Sequence, residues 1–494
     1  DDVVKRMQIE IPKEEREQLK QSIPGQFAPE YELFVFDEAL FKGVYTPNDP
    51  AFADPGKAWY LNAVHASQAW DITRGSEKIT VAIVDNGFNL KHPELRGKVV
   101  QPYNVWTHSD EIFPQQVDHG THVAGTALAV AGNGKGLCGI APNCKFMPVQ
   151  VADKRGMMTT TSALDGILYA LYQGADVVNV SLCSQFAGLS QFPESAQQEL
   201  IRSHFKEEER LWREIMRIAA SHNSTIVVAA GNDNVLAGIE ALQRPELFIT
   251  VSAVDKNSQS FDKAGFSNYG PFSTVSAPGV DIYSSTGKND YQAMTGTSMA
   301  APIVAGAVAL MKSMNDTITT KQIICILQST GVETRGNIGK LIQLDKALEK
   351  VKSGEECVEP CNATVASGGD EGYVGSFEME QQSGFFVFAY NTQNVPDKIT
   401  IYEGIDTKGK IIFTYEGSTR KPLVANVQFN KPTVTVEIIG GERTYWEFLI
   451  NCPGENFEVP STDARRSQLE QERDRLQQEL DRVNNELRRI GNSR

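Results

Sequence analysis

Long apolar runs are missing from this sequence. The longest, around Ala300 to Met311, is too short to span a bilayer and too rich in Ala, Gly and Val to face lipid, so no membrane span is expected. Cysteine is scarce, seven residues in 494, which excludes a disulfide scaffold as the main source of stability. An excess of positive charge is absent as well. Forty-seven Lys and Arg against 62 Asp and Glu leave a net charge of −15, which argues against nucleic acid or an anionic membrane surface as the main partner. No hydrophobic leader opens the chain at Asp1, so it is expected to be cytoplasmic or to have lost one.

What is present is material for more than one domain. The length exceeds that of an ordinary single domain, and 41% hydrophobic with 22% charged residues is a globular composition. The cysteines are placed unevenly. Cys138 and Cys144 flank a short turn, Cys357, Cys361 and Cys452 bracket a C-terminal module, and Cys183 and Cys325 read as free thiols. With sequons at Asn223, Asn315 and Asn362, this pattern leans towards an extracytoplasmic protein.

The stretch Gly296-Thr297-Ser298-Met299-Ala300-Ala301-Pro302 precedes an Ala/Gly/Val-rich helix over Ile303 to Met311. That places Ser298 at a helix N-terminus, where unpaired N–H groups favour a developing oxyanion. Pro302 fits a first turn, which needs no amide hydrogen there. Alone, one serine among small residues reads as helix packing, but two upstream stretches change that reading. Ile79 to Gly87 is an almost continuous β-branched run ending in Asp85, the pattern of a buried parallel strand with chemistry at its carboxyl end. Asp118-His119-Gly120-Thr121-His122 puts an imidazole at the head of a small-residue helix. Two histidines three apart raise the question of zinc, but no third ligand follows at zincin spacing, so His119 reads as a base and His122 as a core residue.

Further strands are expected at 146–151, 177–182, 225–230 and 248–251, with helices over 161–173 and 211–221 between them. Strand and helix in alternation predict an α/β fold with a doubly wound parallel sheet and helices on both faces. One strand closes in Ala229-Ala230-Gly231-Asn232, whose amide is either a turn residue or a donor to a reacting carbonyl.

Four motifs in order, Val-Asp-Asn-Gly with Asp85, His-Gly-Thr-His-Val-Ala-Gly with His119, Ala-Ala-Gly-Asn with Asn232 and Gly-Thr-Ser-Met-Ala-Ala-Pro with Ser298, resemble the subtilisin-like serine proteases, the subtilases. The resemblance covers roughly residues 45 to 350. It implies that Ser298 is the nucleophile, His119 its base and Asp85 the orienting carboxylate, with Asn232 and the Ser298 N–H as the oxyanion hole. It also implies that Ser181, Leu182, Cys183, Ala230 and Gly231 bind an extended peptide by strand addition. The family usually has Gly where Cys183 stands, so a side chain there is expected to narrow the pocket for the residue before the cleaved bond. Residues 184–209 read as an insertion at that rim, and its charged half, His204 to Arg210, as a solvated helix face. Asp49 and Glu94 resemble carboxylate ligands of a family calcium site, with carbonyls from the 132–136 loop; the same residues also read as an N-cap and a surface turn. No organic cofactor is implied.

The expected division is a 1–45 extension or prosegment remnant, a 46–352 catalytic domain, a 357–455 β-sandwich of jelly-roll-like kind, and a 463–492 helix. The sandwich is read from alternating runs at 383–388, 398–402, 410–413 and 433–436. The terminal helix carries Leu469, Leu476, Val483 and Ile490 every seven residues, a short coiled-coil seam that suits a homo-oligomer; an isolated solvated helix and packing on the chain's own domain are the other readings. The leading expectation is a secreted serine endopeptidase acting on proteins or peptides through an acyl-enzyme. Two alternatives stand beside it: a peptide ligase or macrocyclase, in which an amine intercepts the acyl-enzyme, and a catalytically silent scaffold acting through its C-terminal modules.

Overall fold

The structure, a computed structural model, describes residues 45–453 apart from 185, 187, 257–259, 355–356, 362–364, 369–371, 393–394, 420–422 and 442–445. The expected extension up to residue 44, the sequon at Asn362 and the coiled-coil helix over 463–492 lie outside the described residues. The chain divides between Tyr45 and Thr46.

Seven strands, Thr80–Asp85 (β1), Tyr103–Asn104 (β2), Lys145–Gln150 (β3), Val177–Val180 (β4), Thr225–Ala229 (β5), Phe248–Val254 (β6) and Val275–Pro278 (β7), form one parallel sheet in the order β2-β3-β1-β4-β5-β6-β7. The central strands are buried on both faces, which is why they read as continuous apolar runs. Alternate residues face opposite sides. Ala82, Val84, Val178, Val180, Ile226 and Val228 share a core with Ile167 and Trp212, from the helices Thr160–Tyr172 and Lys206–Ser221. On these strands also pack the helices His119–Leu128 and Thr297–Met314, which touch each other. Strands and helices from the sequence reading thus appear close to their expected bounds. The edge strands β2 and β7 were not foreseen: they are short and carry too little alternation to read.

Two features differ from expectation. The nucleophile helix starts at Thr297 rather than Ile303 and contains Pro302 in its interior, so Pro302 is not a first-turn residue. A proline there cannot bond back to the carbonyl four residues earlier, and the freed Ser298 carbonyl instead accepts the Ser181 hydroxyl at 2.9 Å. This helix is also long and apolar enough by composition to cross a membrane, but 89% of it is buried in the fold.

Beyond the helix Leu344–Ser353 the chain forms a five-stranded and a four-stranded sheet, mostly antiparallel, that share one core. Aromatic pairs close the space between them, with Tyr373 and Phe377 of one sheet 5.1 and 6.0 Å from Phe448 of the other. Two disulfides serve this region. Cys361–Cys452 joins its ends, and Cys325–Cys357 ties it to the helix Thr320–Thr330. Cys325 is therefore not the free thiol expected; its partner is distant in sequence and carries no local signal. Cys138, Cys144 and Cys183 are free, so the turn at 138–144 is not a disulfide loop.

Candidate active site

The site lies at the carboxyl ends of β1, β4 and β5. Asp85, the last residue of β1, is wholly buried, and its Oδ1 accepts from the Asn86 N–H and meets His119 Nδ1, each at 2.7 Å. Its Oδ2 is buried without a hydrogen-bond partner. His119 opens its helix, and Gly120 explains how that helix start approaches so closely: a Cβ at Gly120 would lie 2.4 Å from the Gly87 carbonyl and 3.1 Å from Asp85 Cβ. Asn86 fixes the same junction, accepting from the Gly120 N–H at 3.1 Å and donating to the Val117 carbonyl at 2.9 Å.

Burial alone lowers the pKa of His119, but the charge and hydrogen bond of Asp85, with the charge of Asp118, outweigh it and raise the net value above 6.5. The carboxylate therefore holds the imidazole with Nδ1 protonated and turns Nε2 towards the cleft as a base. His122 behaves differently. It bonds to the Ile282 and Gln292 carbonyls at 2.9 and 3.1 Å, and burial followed by repulsion from His119 pushes its pKa down to about 4. It is a neutral core residue joining its helix to the hairpin 282–294, as the sequence reading expected.

Ser298, only 8% exposed, is the second residue of the Thr297–Met314 helix, where its N–H has no helical partner. Its hydroxyl donates to the Ser181 carbonyl at 3.1 Å, so attack requires a rotation about χ1 towards His119. Asn232 stands beside it. Its Oδ1 accepts from Thr297 N and Oγ1 at 2.9 and 3.0 Å, which fixes the amide with Nδ2 outermost. A Cβ placed on Gly296 would lie 3.6 Å from Asn232 Nδ2 and 3.7 Å from Ser298 N. Both donors therefore border one small space that glycine keeps open. The positioning role of Thr297 was missed; its only signal is adjacency to the serine.

The expected peptide-binding segments are also at the cleft. The Ala230 and Gly231 carbonyls are already engaged, by Gln243 Nε2 at 2.8 Å and the Asn268 N–H at 3.0 Å. Leu182 and Cys183, just beyond β4, carry no backbone–backbone hydrogen bond among the described residues and remain available to an extended chain. The Cys183 thiol is pushed up to about 12 by burial and then by the charges of Glu240 and Asp233, so it is protonated and a poor nucleophile.

The insertion is helical, Glu194–Ser203 and the start of Lys206–Ser221, and its charged half is mostly exposed, as expected, with Glu208 and Glu209 partly covered. Arg244, with its side chain 2% exposed, bonds Glu209 at 2.8 Å and the His204 carbonyl at 3.0 Å. Phe186, Leu189 and Ile201 pack on Val235, Leu236 and Ile239, so the insertion props the loop behind the cleft.

Away from these residues, Asp49 accepts from the Gly132 and Asn133 N–H groups at 3.0 Å each. Glu94 accepts from Asn133 Nδ2 at 2.7 Å and from the Tyr291 hydroxyl at 2.5 Å. Both carboxylates thus converge on the 132–136 loop. Burial raises the Glu94 pKa, with a smaller contribution from the Asp49 charge. The oxygen-rich donor set fits Ca²⁺.

Comparison with known proteins agrees with this geometry. The Subtilase family profile matches residues 76–351. A thermophilic serine proteinase from Bacillus sp. (strain AK1) is 36% identical over 276 residues, 56% of this chain and 61% of that protein. Thermitase from Thermoactinomyces vulgaris is 36% identical over 271 residues, 54% of this chain and 86% of thermitase. The solved structure of a protease from Pseudoalteromonas arctica PAMC 21717 superposes with a TM-score of 0.50 at 26% identity, covering 62% of this chain and all of that one. On its fold, its site and this match, the chain belongs to the subtilase family, the subtilisin-like serine peptidases.

Proposed function

We propose that the chain is a serine endopeptidase that hydrolyses peptide bonds of protein substrates through an acyl-enzyme. What supports this reading is the Asp85–His119 bond of 2.7 Å at the end of β1, together with Ser298 at a helix N-terminus whose Thr297 is held by Asn232. A serine hydroxyl is a weak nucleophile at neutral pH and needs such a base. Ser298 Oγ, turned from Ser181 to His119 Nε2, attacks the carbonyl carbon and gives its proton to Nε2. Asp85 stabilises the imidazolium that forms, and Asn232 Nδ2 with the Ser298 N–H receives the developing oxyanion. His119 then protonates the leaving amine, water attacks the ester, and Ser298 is regenerated. Substrate backbone pairs with Leu182 and Cys183.

In this reading Asp49, Glu94 and carbonyls of the 132–136 loop hold a structural calcium ion, which supplies charge neutralisation between the two carboxylates. The two disulfides support an extracytoplasmic location. The paired antiparallel sheets act as a jelly-roll-like accessory domain. The test is hydrolysis of casein and of internally quenched peptides by the intact chain and by Ser298→Ala. Cleavage within the peptide, lost in the variant, is the expected result; equal hydrolysis by both proteins would refute the assignment.

A further inference from the structure

A cleft of about 1180 Å³ lies between the catalytic domain and the paired antiparallel sheets. The helices Glu194–Ser203, Lys206–Ser221 and Thr320–Thr330 line one wall, and the strands Tyr373–Glu378 and Thr433–Ile439 reach it from the other. Asp85, His119, Ser298, Leu182 and Cys183 are not among its lining residues, so it lies apart from the residues of the proposed mechanism. Its volume exceeds the roughly 300–1,000 Å³ of small-molecule sites and leaves room for a length of polypeptide. Six cationic side chains line it against three acidic ones, Glu209, Glu246 and Glu437, an excess of positive charge in a chain whose net charge is −15. The acids are shared among several cations. Glu209 meets Lys206, Arg213 and Arg244 at 3.2, 3.4 and 2.8 Å, and Arg213 also reaches Glu246 at 2.5 Å. Arg202 is exposed and has no ion pair among the described residues.

The walls supply apolar surface as well. Along the helix Lys206–Ser221 the lining positions 206, 209, 213, 216, 217 and 220 recur three and four residues apart, so one face of that helix, charged at its start and carrying Met216 further on, looks into the cleft. Opposite, Val374 and Ile439 are 48% and 56% exposed. A segment of carboxylates interspersed with apolar side chains complements both features. We propose that this cleft is a docking site, separate from the peptide-binding segments, for an acidic stretch of a protein substrate. That an acidic segment binds here stands on the cleft itself; that it belongs to a substrate rests on the endopeptidase reading. Gln243 connects the two, because it lines the cleft and donates to the Ala230 carbonyl at 2.8 Å, two residues before Asn232. A docked protein is thereby tethered to the domain that carries Ser298, which raises the local concentration of its other segments there.

The test uses the full chain with Ser298→Ala, which binds without cutting, and a fluorescein-labelled peptide of about ten Glu, Leu and Gly residues, roughly 30 Å when extended, beside its counterpart with Lys for Glu. Fluorescence anisotropy is expected to show the Glu peptide bound at least about tenfold more tightly than the Lys peptide. Raised salt, and separately the double variant Arg202→Glu/Arg217→Glu, should each weaken that binding by at least about tenfold. Fluorophosphonate labelling of Ser298 in a chain carrying only the two arginine changes should keep its wild-type rate, which reports an intact fold. No preference for the Glu peptide, binding that ignores salt, or full-strength binding by the double variant overturns the proposal. If the double variant does not label, Arg202→Gln alone decides: unchanged binding of the Glu peptide overturns the proposal. In the active chain, joining the Glu peptide to an internally quenched substrate through a Gly/Ser linker should lower KM at least about fivefold with kcat unchanged, and equal KM values overturn substrate docking. A chain that binds the Glu peptide and cleaves nothing marks a different failure, that of the endopeptidase reading itself.

Discussion

Replacing Asn232 separates its two sides. In the proposed mechanism its Nδ2 is the oxyanion donor, while its Oδ1 accepts from Thr297 N and Oγ1 at 2.9 and 3.0 Å. Asn232→Ala removes both. In subtilisin, loss of the corresponding side-chain donor costs about 100- to 1,000-fold in kcat, or about 2.7–4 kcal/mol of transition-state stabilisation, and that borrowed magnitude is the expectation here. The alanine variant also leaves the Thr297 N–H without its acceptor, a loss of about 1–3 kcal/mol of stability. At roughly 2–4 °C per kcal/mol for a domain of this size, Tm should fall by several degrees. Asn232→Asp keeps the acceptor and loses the donor, so its Tm should lie nearer the wild type while its kcat falls at least as far. Substrate KM should move little in either variant, because the donor acts on charge that develops only in the transition state. Steady-state kinetics on one peptide substrate and differential scanning calorimetry test this directly. A kcat within about threefold of wild type in both variants would refute the placement of Asn232 in the oxyanion hole.

Other expectations follow from the same geometry. The His119 pKa is raised in the fold, so its pairing with Asp85 contributes stability that is complete below 6.5 and lost as pH rises through the folded value. Catalysis needs the neutral imidazole, so the acidic limb of kcat/KM should have its midpoint above 6.5. Asp85→Asn, which leaves burial as the main influence, should move the imidazole titration seen by NMR to lower pH and reduce kcat by about 10⁴-fold. Breaking Cys325–Cys357 by paired serine substitutions opens a loop with a sequence separation of 32 residues and should cost about 3–4 kcal/mol by chain entropy, read as a lower denaturant midpoint. Removing calcium with a chelator should lower Tm in the wild type but not in an Asp49→Asn/Glu94→Gln double variant, whose own Tm in calcium should already be reduced; equal chelator effects in both would locate the ion elsewhere.

Local chemistry made much of this protein legible. β1 reads as a buried strand because every residue from Val81 to Asp85 is enclosed, and the triad motifs are short stretches whose small residues are dictated by contacts at the same spot. Gly120, where a Cβ would strike the Gly87 carbonyl at 2.4 Å, is an example. What escaped the sequence depends on distant partners. Pro302 looks like a helix start until Ser181, more than a hundred residues away, is seen to satisfy the carbonyl it releases. Cys325 looks unpaired until the chain beyond the last catalytic helix brings Cys357 back.

The central claim is that Asp85, His119, Ser298 and Asn232 form a working site. Mass spectrometry of the chain after exposure to a fluorophosphonate tests it most directly. One adduct per chain, on the peptide containing Ser298, absent in Ser298→Ala and strongly slowed in His119→Ala, is the predicted result. An unmodified Ser298 in a folded, calcium-supplemented protein, or an adduct that persists in Ser298→Ala, would contradict it.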